Sequence, residues 1–283
     1  MTSPRGNRFE DFFADDAYRV LKNFLYNYLL RKRAIGASLR GAEEGMTLEI
    51  GSGLSPTVAE SENVVYSELS FSALRTLKSC QGMGFFVVAD VTHLPFKTAA
   101  FTRVVCSEVM EHLPEDRPAF REMAAVLREG GSLILTFPHR HDYFACDDRF
   151  VNHYRRYELC EMEERLREAG LNPVEIRKVL GPLEKITMVL TTSAISDLQR
   201  MRGTVKGSGR QPGRVRMILP IFKWLNRLYC LPVRFDTWAM PRFLSAVLLI
   251  RSVKETRHLS APDYHSQSKK FLQNVNIILT AKK

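Results

Sequence analysis

Leu48-Glu49-Ile50-Gly51-Ser52-Gly53-Leu54-Ser55-Pro56 is the stretch that decides how this chain folds. A short apolar run carries an acid, meets two glycines with one residue between them, and leads into a helix start with Ser55 as cap and Pro56 at the first helical position. Glycines there let the backbone turn sharply and approach a ligand with no Cβ in the way. The pattern predicts a cofactor-binding turn between a first strand and a short helix from Pro56 to about Glu62. A dinucleotide fingerprint would need a third glycine three residues after the second, where this chain has Pro56, and a triphosphate loop would need a Lys-Ser/Thr pair that is absent. A glycine turn preceded by a carboxylate suits a ligand that carries positive charge and an ammonium group.

Working outward, Val64–Glu68 reads as a second buried strand, and its terminal acid is placed to accept hydrogen bonds from ribose hydroxyls. A helical run follows from Phe71 to Leu77. Phe85–Asp90 is a third strand that ends in an acid, Phe101–Ser107 a fourth, and Ser132–Phe137 a fifth, set up by a turn over Arg128–Gly131. Glu158–Ala169 is a helix closed by Gly170, and Val174–Val179 a sixth strand. Phe243–Val253 and Val275–Ala281 both qualify as a last strand. Strands alternating with helical patterns predict βαβ units and a parallel sheet.

The series LEIGSG, SELS, ADVTHLPF, FTRVVCSEVMEHL and LREGGSLILTFP, in that order from Met46 to Pro138, resembles the class I S-adenosylmethionine-dependent methyltransferases. The similarity extends to the quinone-type and small-molecule or lipid methyltransferases, which share the ADxxxLPF loop and the EHL helix start. The resemblance implies an α/β fold: a Rossmann-like, doubly wound, mostly parallel seven-stranded sheet with an N-terminal helix and a C-terminal helical elaboration. It implies S-adenosylmethionine as cofactor. Glu49 would address the methionine amino group, directly or through water, Gly51, Ser52 and Gly53 would lie against the methionine and ribose, Glu68 with Leu69 would hold the ribose, Asp90 and Val91 would read the adenine, and Ser107 and Glu108 would border the methionine. Two departures stand out: Ser55 occupies the third small position of the turn, and the Gly51-to-Glu68 distance is about one helical turn short.

The expected organisation is an N-terminal helical cap over 1–45, a cofactor-binding core over 46–181, a basic amphipathic insertion over 182–242 and sheet-completing strands over 243–283. Apolar residues at helical spacing from Phe9 to about Arg33 make the cap a helix. Five scattered cysteines with no CxxC pair fit a reduced, cytoplasmic protein without a zinc site. Glu10 and Asp11 stand where a signal peptide needs an apolar run, and Met217–Val233 is broken by Lys223 and Arg227, so no segment spans a bilayer. Residues 198–229 hold eight basic residues and no acid, which accounts for most of the net charge of +10. A basic hinge leading into an amphipathic helix with Trp224 and Phe222 suits the anionic inner face of a membrane; a helix that merely packs on the sheet is the plainer alternative.

Methyl transfer needs alignment and desolvation, and a base where the acceptor is a hydroxyl. His112, at the helix start after the fourth strand, is one candidate. His139, His153 and Tyr154, from the segment after the fifth strand, are the others, each balanced by a packing role. His139 and His141, with Asp142, Asp147 and Asp148, match no defined metal-ligand spacing, and no metal is expected. Arg155 and Arg156 suit either an anionic acceptor group or an acid-paired helix start. The expected acceptor is a small, lipid-like or lipid-linked hydroxyl. An RNA methyltransferase and a non-catalytic cofactor-binding protein remain as alternatives; nucleic acid is disfavoured by SEVMEHL after the fourth strand, where a base-modifying enzyme carries a proline-aromatic motif.

Overall fold

The computed structural model describes residues 23–202 and 212–256. Helix α1 (Tyr26–Leu39) precedes β1 (Thr47–Ile50), β2 (Val64–Glu68), α2 (Phe71–Cys80), β3 (Phe85–Val88) and β4 (Phe101–Ser107). Then come α3 (Arg117–Val126), β5 (Leu127–Pro138), a short α4 (Cys146–Phe150), α5 (Leu159–Glu168) and β6 (Leu171–Leu180). Two long helices, α6 (Pro182–Arg202) and α7 (Pro212–Ala239), lead to β7 (Val247–Lys254). The seven strands lie in the order β3-β2-β1-β4-β5-β7-β6. All neighbours are parallel except that β7 runs antiparallel to both β5 and β6. The mostly parallel seven-stranded sheet thus agrees with the sequence reading, and Val247–Lys254 supplies the last strand. The competing candidate Val275–Ala281 and the N-terminal part of the predicted helix, Phe9–Lys22, lie outside the described residues.

Alternation along each strand sorts the core into two layers. Leu48, Val65, Val104, Cys106, Leu135 and Ile250 face α3 and α5 through Phe120, Met123, Met162 and Leu166. Their neighbours Val64, Tyr66, Val105, Ile134 and Leu249 face the opposite way, against Tyr26, Leu30 and Ile35 of α1, Leu74 and Leu77 of α2, and Val233 of α7. Within the predicted insertion, α7 packs Val233 against one face of the sheet, and Tyr26 meets Tyr229 edge-on at 4.9 Å.

One expected element is absent. Residues 51–63 connect β1 to β2 through turns and bends, and the short helix expected from Pro56 to about Glu62 does not form. The physical reason lies in Glu49, whose buried carboxylate accepts from the Thr57 and Val58 amides and the Thr57 hydroxyl. Those bonds hold the chain open where an intrahelical ladder would have to begin, and too few residues remain before β2 for a stable helix. From the other side, the Tyr28 hydroxyl and Lys32 ammonium of α1 donate to the Pro56 carbonyl at 2.8 and 3.3 Å. Helix α1 therefore covers the sheet face beside this bare connection. Burial pushes Glu49 up to about 7, although the Thr57 and Val58 bonds pull it back.

Ile35, fully buried in α1, tests this arrangement: Ile35→Ala is expected to cost about 2–4 kcal/mol in urea unfolding, and a loss under about 1 kcal/mol would show that α1 is dispensable to the core. A second test uses pH. Because Glu49 is raised in the folded state, the folded chain binds more protons than the unfolded chain between the ordinary carboxylate range and about 7, and stability falls as pH rises through that window. Glu184, also buried and raised to about 7, acts in the same direction. The urea midpoint of Glu49→Gln is expected to fall less than that of the parent between about pH 5 and 8; equal slopes would show that Glu49 is ionised throughout.

Candidate active site

At the carboxyl edge of the sheet, Gly51 and Gly53 take left-handed backbone angles, with φ of 68° and 54°. A Cβ on Gly51 would run into Val109 Cγ2, so only glycine fits between the two segments. The Gly53 amide donates to Glu68 Oε2 at 2.9 Å, and the Ser70 amide donates to Oε1 at 3.0 Å. Each Glu68 oxygen keeps an acceptor site free in that count, which is what a vicinal ribose diol requires. Ser52 is buried and bonds back to the Ser67 carbonyl, while Leu69 stays exposed. Asp90 accepts from the Thr92 amide and hydroxyl at the open rim, with Val91 buried beside it. These groups fit a nucleoside lying across the ends of β1, β2 and β3.

At the end expected to hold the methionine, the expected residues have partners within the protein. Glu49 is engaged with Thr57 and Val58. Glu108, on a strained backbone at φ 55° after β4, instead pairs with Arg31 of α1 at 3.0 Å. The Ser107 hydroxyl meets that of Thr136 at 2.9 Å, holding the tips of β4 and β5 together. Arg31 carried no signal in the sequence beyond its place in a helical run.

Deeper in, the turn Met110–His112 meets the segment after α4. The Tyr154 amide donates to the Glu111 carbonyl at 2.8 Å, and the rings of His112 and His153 lie 4.7 Å apart at 73°. His153 Nδ1 bonds Asp148 at 2.9 Å, leaving Nε2 facing Glu111 Oε1 at 3.7 Å. Glu111 is fully buried; burial, with Glu108 beside it, pushes its carboxyl well above the usual range. Asp148 goes the other way: burial would raise it, but bonds from His153, Arg156 and Lys185 hold it far below.

Of the four proton-handling candidates, the structure brings His112 and His153 together. Tyr154 follows in chain but is exposed at the rim. His139 is a fastening residue: it is buried, its Nδ1 meets the Ser245 carbonyl at 2.9 Å, and burial lowers its pKa. His141 lies on the surface against Glu161 and shares no cluster with His139. Arg156 is buried and acid-paired, bonded to Asp148 and to the carbonyls of His139 and Ala246. Sequence reasoning missed Glu111, Asp148 and Lys185. The acid in SEVMEH directly before His112 was the available signal for the first.

Comparison with known proteins agrees with this fold. Residues 48–135 match a family model described as a methyltransferase domain. Over 50 residues the chain is 44% identical to methyltransferase GfsG of Streptomyces halstedii, a match that spans only 18% of each protein. Among solved structures, phosphoethanolamine N-methyltransferase 2 of Haemonchus contortus, in complex with S-adenosylmethionine, aligns at 16% identity and a TM-score of 0.54, over 90% of this chain and 62% of that one. A Thermotoga maritima S-adenosylmethionine-dependent methyltransferase aligns at 16% identity and a TM-score of 0.53, over 84% and 92%. At such identities the likeness speaks for the fold, while the family match covers the segment that holds the glycine turn, Glu68, Asp90 and His112. Over residues 48–135 the chain therefore matches a methyltransferase domain, on a fold it shares with S-adenosylmethionine-dependent methyltransferases.

Proposed function

We propose that this chain methylates a lipid-like or lipid-linked small molecule, at a hydroxyl, while seated on an anionic membrane surface. The observation that carries this reading is the outer face of α7. Ile221, Trp224, Leu228, Leu231, Phe235 and Trp238 recur at alternating steps of three and four and are all exposed, Trp224 at 64% and Trp238 at 76%. At about 100° per residue they form one continuous apolar stripe, and Val233 on the opposite side is buried against the sheet. Arg227 and Arg234 lie at helical spacing along one edge of the stripe, and Phe243, past the helix end, is also exposed. A contiguous apolar patch with a basic border matches the interfacial zone of an anionic bilayer. No described helix is long and apolar enough to cross a membrane, so contact would be lateral.

S-adenosylmethionine, held through Glu68 and Asp90, would supply an electrophilic methyl group on a sulfonium. The hydroxyl proton then needs a destination. The His112–His153 pair, enclosed with Glu111 behind the tip of β4, supports a proton-accepting role there. Glu68 and Asp90 would hold the nucleoside. An N-methyl acceptor, as in the name of the Haemonchus relative, would need the same alignment without a strong base.

Glu68→Ala is expected to weaken cofactor binding by about tenfold or more, since two ribose hydrogen bonds are lost; unchanged affinity by calorimetry would mean that the pocket lies elsewhere. For the membrane, the protein is expected to co-sediment with phosphatidylglycerol-containing vesicles and not with neutral ones, and Trp224→Glu/Trp238→Glu to abolish this with circular dichroism and cofactor affinity unchanged. With methyl-labelled cofactor and a cell extract, label is expected in the organic phase. Label confined to the aqueous phase, together with no vesicle binding, would overturn the reading, and nuclease sensitivity of that label would point to RNA.

A further inference from the structure

We propose that Glu111, His112 and His153 form a binding site for one divalent cation of the zinc, manganese or cobalt kind, set beside the cofactor site. Each residue offers one ligand atom, and these atoms all lie within 4.8 Å of one another. Three further observations point to an ion in that space.

The first is Glu111 itself. Its side chain is fully buried, and neither carboxylate oxygen has a hydrogen-bond partner among the described residues. A buried carboxyl group with no partner is costly unless something meets it. The nearby cations are engaged elsewhere: Arg31 pairs with Glu108, and Arg156 bonds Asp148 and two main-chain carbonyls. His153 Nε2 stands 3.7 Å from Glu111 Oε1, too far for a direct hydrogen bond. The two groups are spaced as partners of a third.

The second is the state of His153. Its Nδ1 donates to Asp148 at 2.9 Å, so in the neutral ring the lone pair lies on Nε2, on the side of Glu111 and His112. A carboxylate behind the far nitrogen is the usual outer support of a metal-bound imidazole, because it fixes the tautomer and strengthens the ligand. Asp148 is itself anchored by Arg156 and Lys185, so the support is rigid.

The third is the main chain. Glu111 and His112 are consecutive on the turn after β4, and the Tyr154 amide bonds the Glu111 carbonyl at 2.8 Å. The His153 amide in turn bonds the Asp148 carbonyl at 2.9 Å. The ligand-bearing segments are thus tied together by backbone and need side-chain movement alone to close from 4.8 Å to the roughly 3–3.5 Å separations of ligands around one ion. Two imidazoles and one carboxylate suit zinc, manganese or cobalt; magnesium and calcium prefer all-oxygen shells. Three protein ligands leave positions open, and under the function proposed above an acceptor hydroxyl is the natural occupant. With an ion bound, His112 and His153 would be ligands, and the ion, by lowering the hydroxyl's pKa so that its proton passes to solvent, would replace them as base. That last step rests on that reading; the ion site does not.

The test reads binding with neither cofactor nor acceptor present. Full-length chain is stripped with chelator and titrated with Co²⁺, whose visible absorption reports nitrogen and oxygen ligation, then dialysed against Zn²⁺ for metal analysis. One equivalent per chain is expected. Glu111→Gln, which keeps shape and removes the carboxyl that an ion would deprotonate and ligate, is expected to weaken binding at least about tenfold, as is His153→Ala. His141→Ala, a surface histidine paired with Glu161, should bind like the parent. Failure to retain an ion, or retention indifferent to Glu111→Gln and His153→Ala, overturns the site. Because this readout involves no acceptor, its failure is distinct from a failure of the lipid reading, which the vesicle and labelling experiments address.

Discussion

The contact on which the site depends is the buried ion pair of Asp148 and Arg156. Arg156 Nε reaches both Asp148 oxygens at 2.9 and 3.0 Å, and its Nη1 bonds the carbonyls of His139 at the end of β5 and Ala246 at the start of β7. One guanidinium therefore joins an antiparallel strand pair to the segment that follows it. Lys185 adds α6 through Asp147 and Asp148. Desolvating these charges is expensive, and removing one partner would leave the others buried and unpaired. What the network supplies is position: with Asp148 fixed, His153 has one orientation, toward Glu111 and His112.

A second constraint follows from the bare β1–β2 connection. A parallel crossover normally carries a helix that covers one sheet face. Here Glu49 and α1 share that work, the first by holding Thr57 and Val58, the second by burying Tyr26, Leu30 and Ile35 against Val64 and Tyr66. This exchange draws Arg31 toward the site, where it meets Glu108. The acid preceding the glycines acts in this structure as a structural acceptor, and the charge pattern at the methionine end is set by a residue from another helix.

The sheet was legible because its signals are local: β-rich runs ending in Glu68 and Ser107, glycines in left-handed turns, and a helix stopped at Gly170. The missing helix was not, because Ser55-Pro56 is a sound helix start by itself and loses to tertiary bonds from Glu49. The site was half legible. Glu68, Asp90, His112 and His153 stood out by type and place in the motif order. Glu111 and Asp148 did not, since a burial-driven role depends on which side chains converge from segments some forty residues apart. Arg156 pointed equally to an anion or an acid until its burial separated the two.

The apolar face of α7 and the site are connected by a short, heavily pinned stretch. After Ala239 the chain passes through Arg242–Leu244 into β7. Lys178 bonds the carbonyls of Trp238 and Met240, Arg140 bonds that of Phe243, the Tyr143 hydroxyl that of Leu244, and His139 that of Ser245. Three of these donors, His139, Arg140 and Tyr143, belong to the segment between β5 and His153. A surface that took up Trp238 and Phe243 would thus act on a stretch bonded to the residues that lead to the site. In the proposed reading the acceptor's apolar part would remain in the bilayer while its hydroxyl reached the histidine pair. The exposed stripe and the buried carboxylate would then be two ends of one path, and the pinned stretch would keep their separation constant.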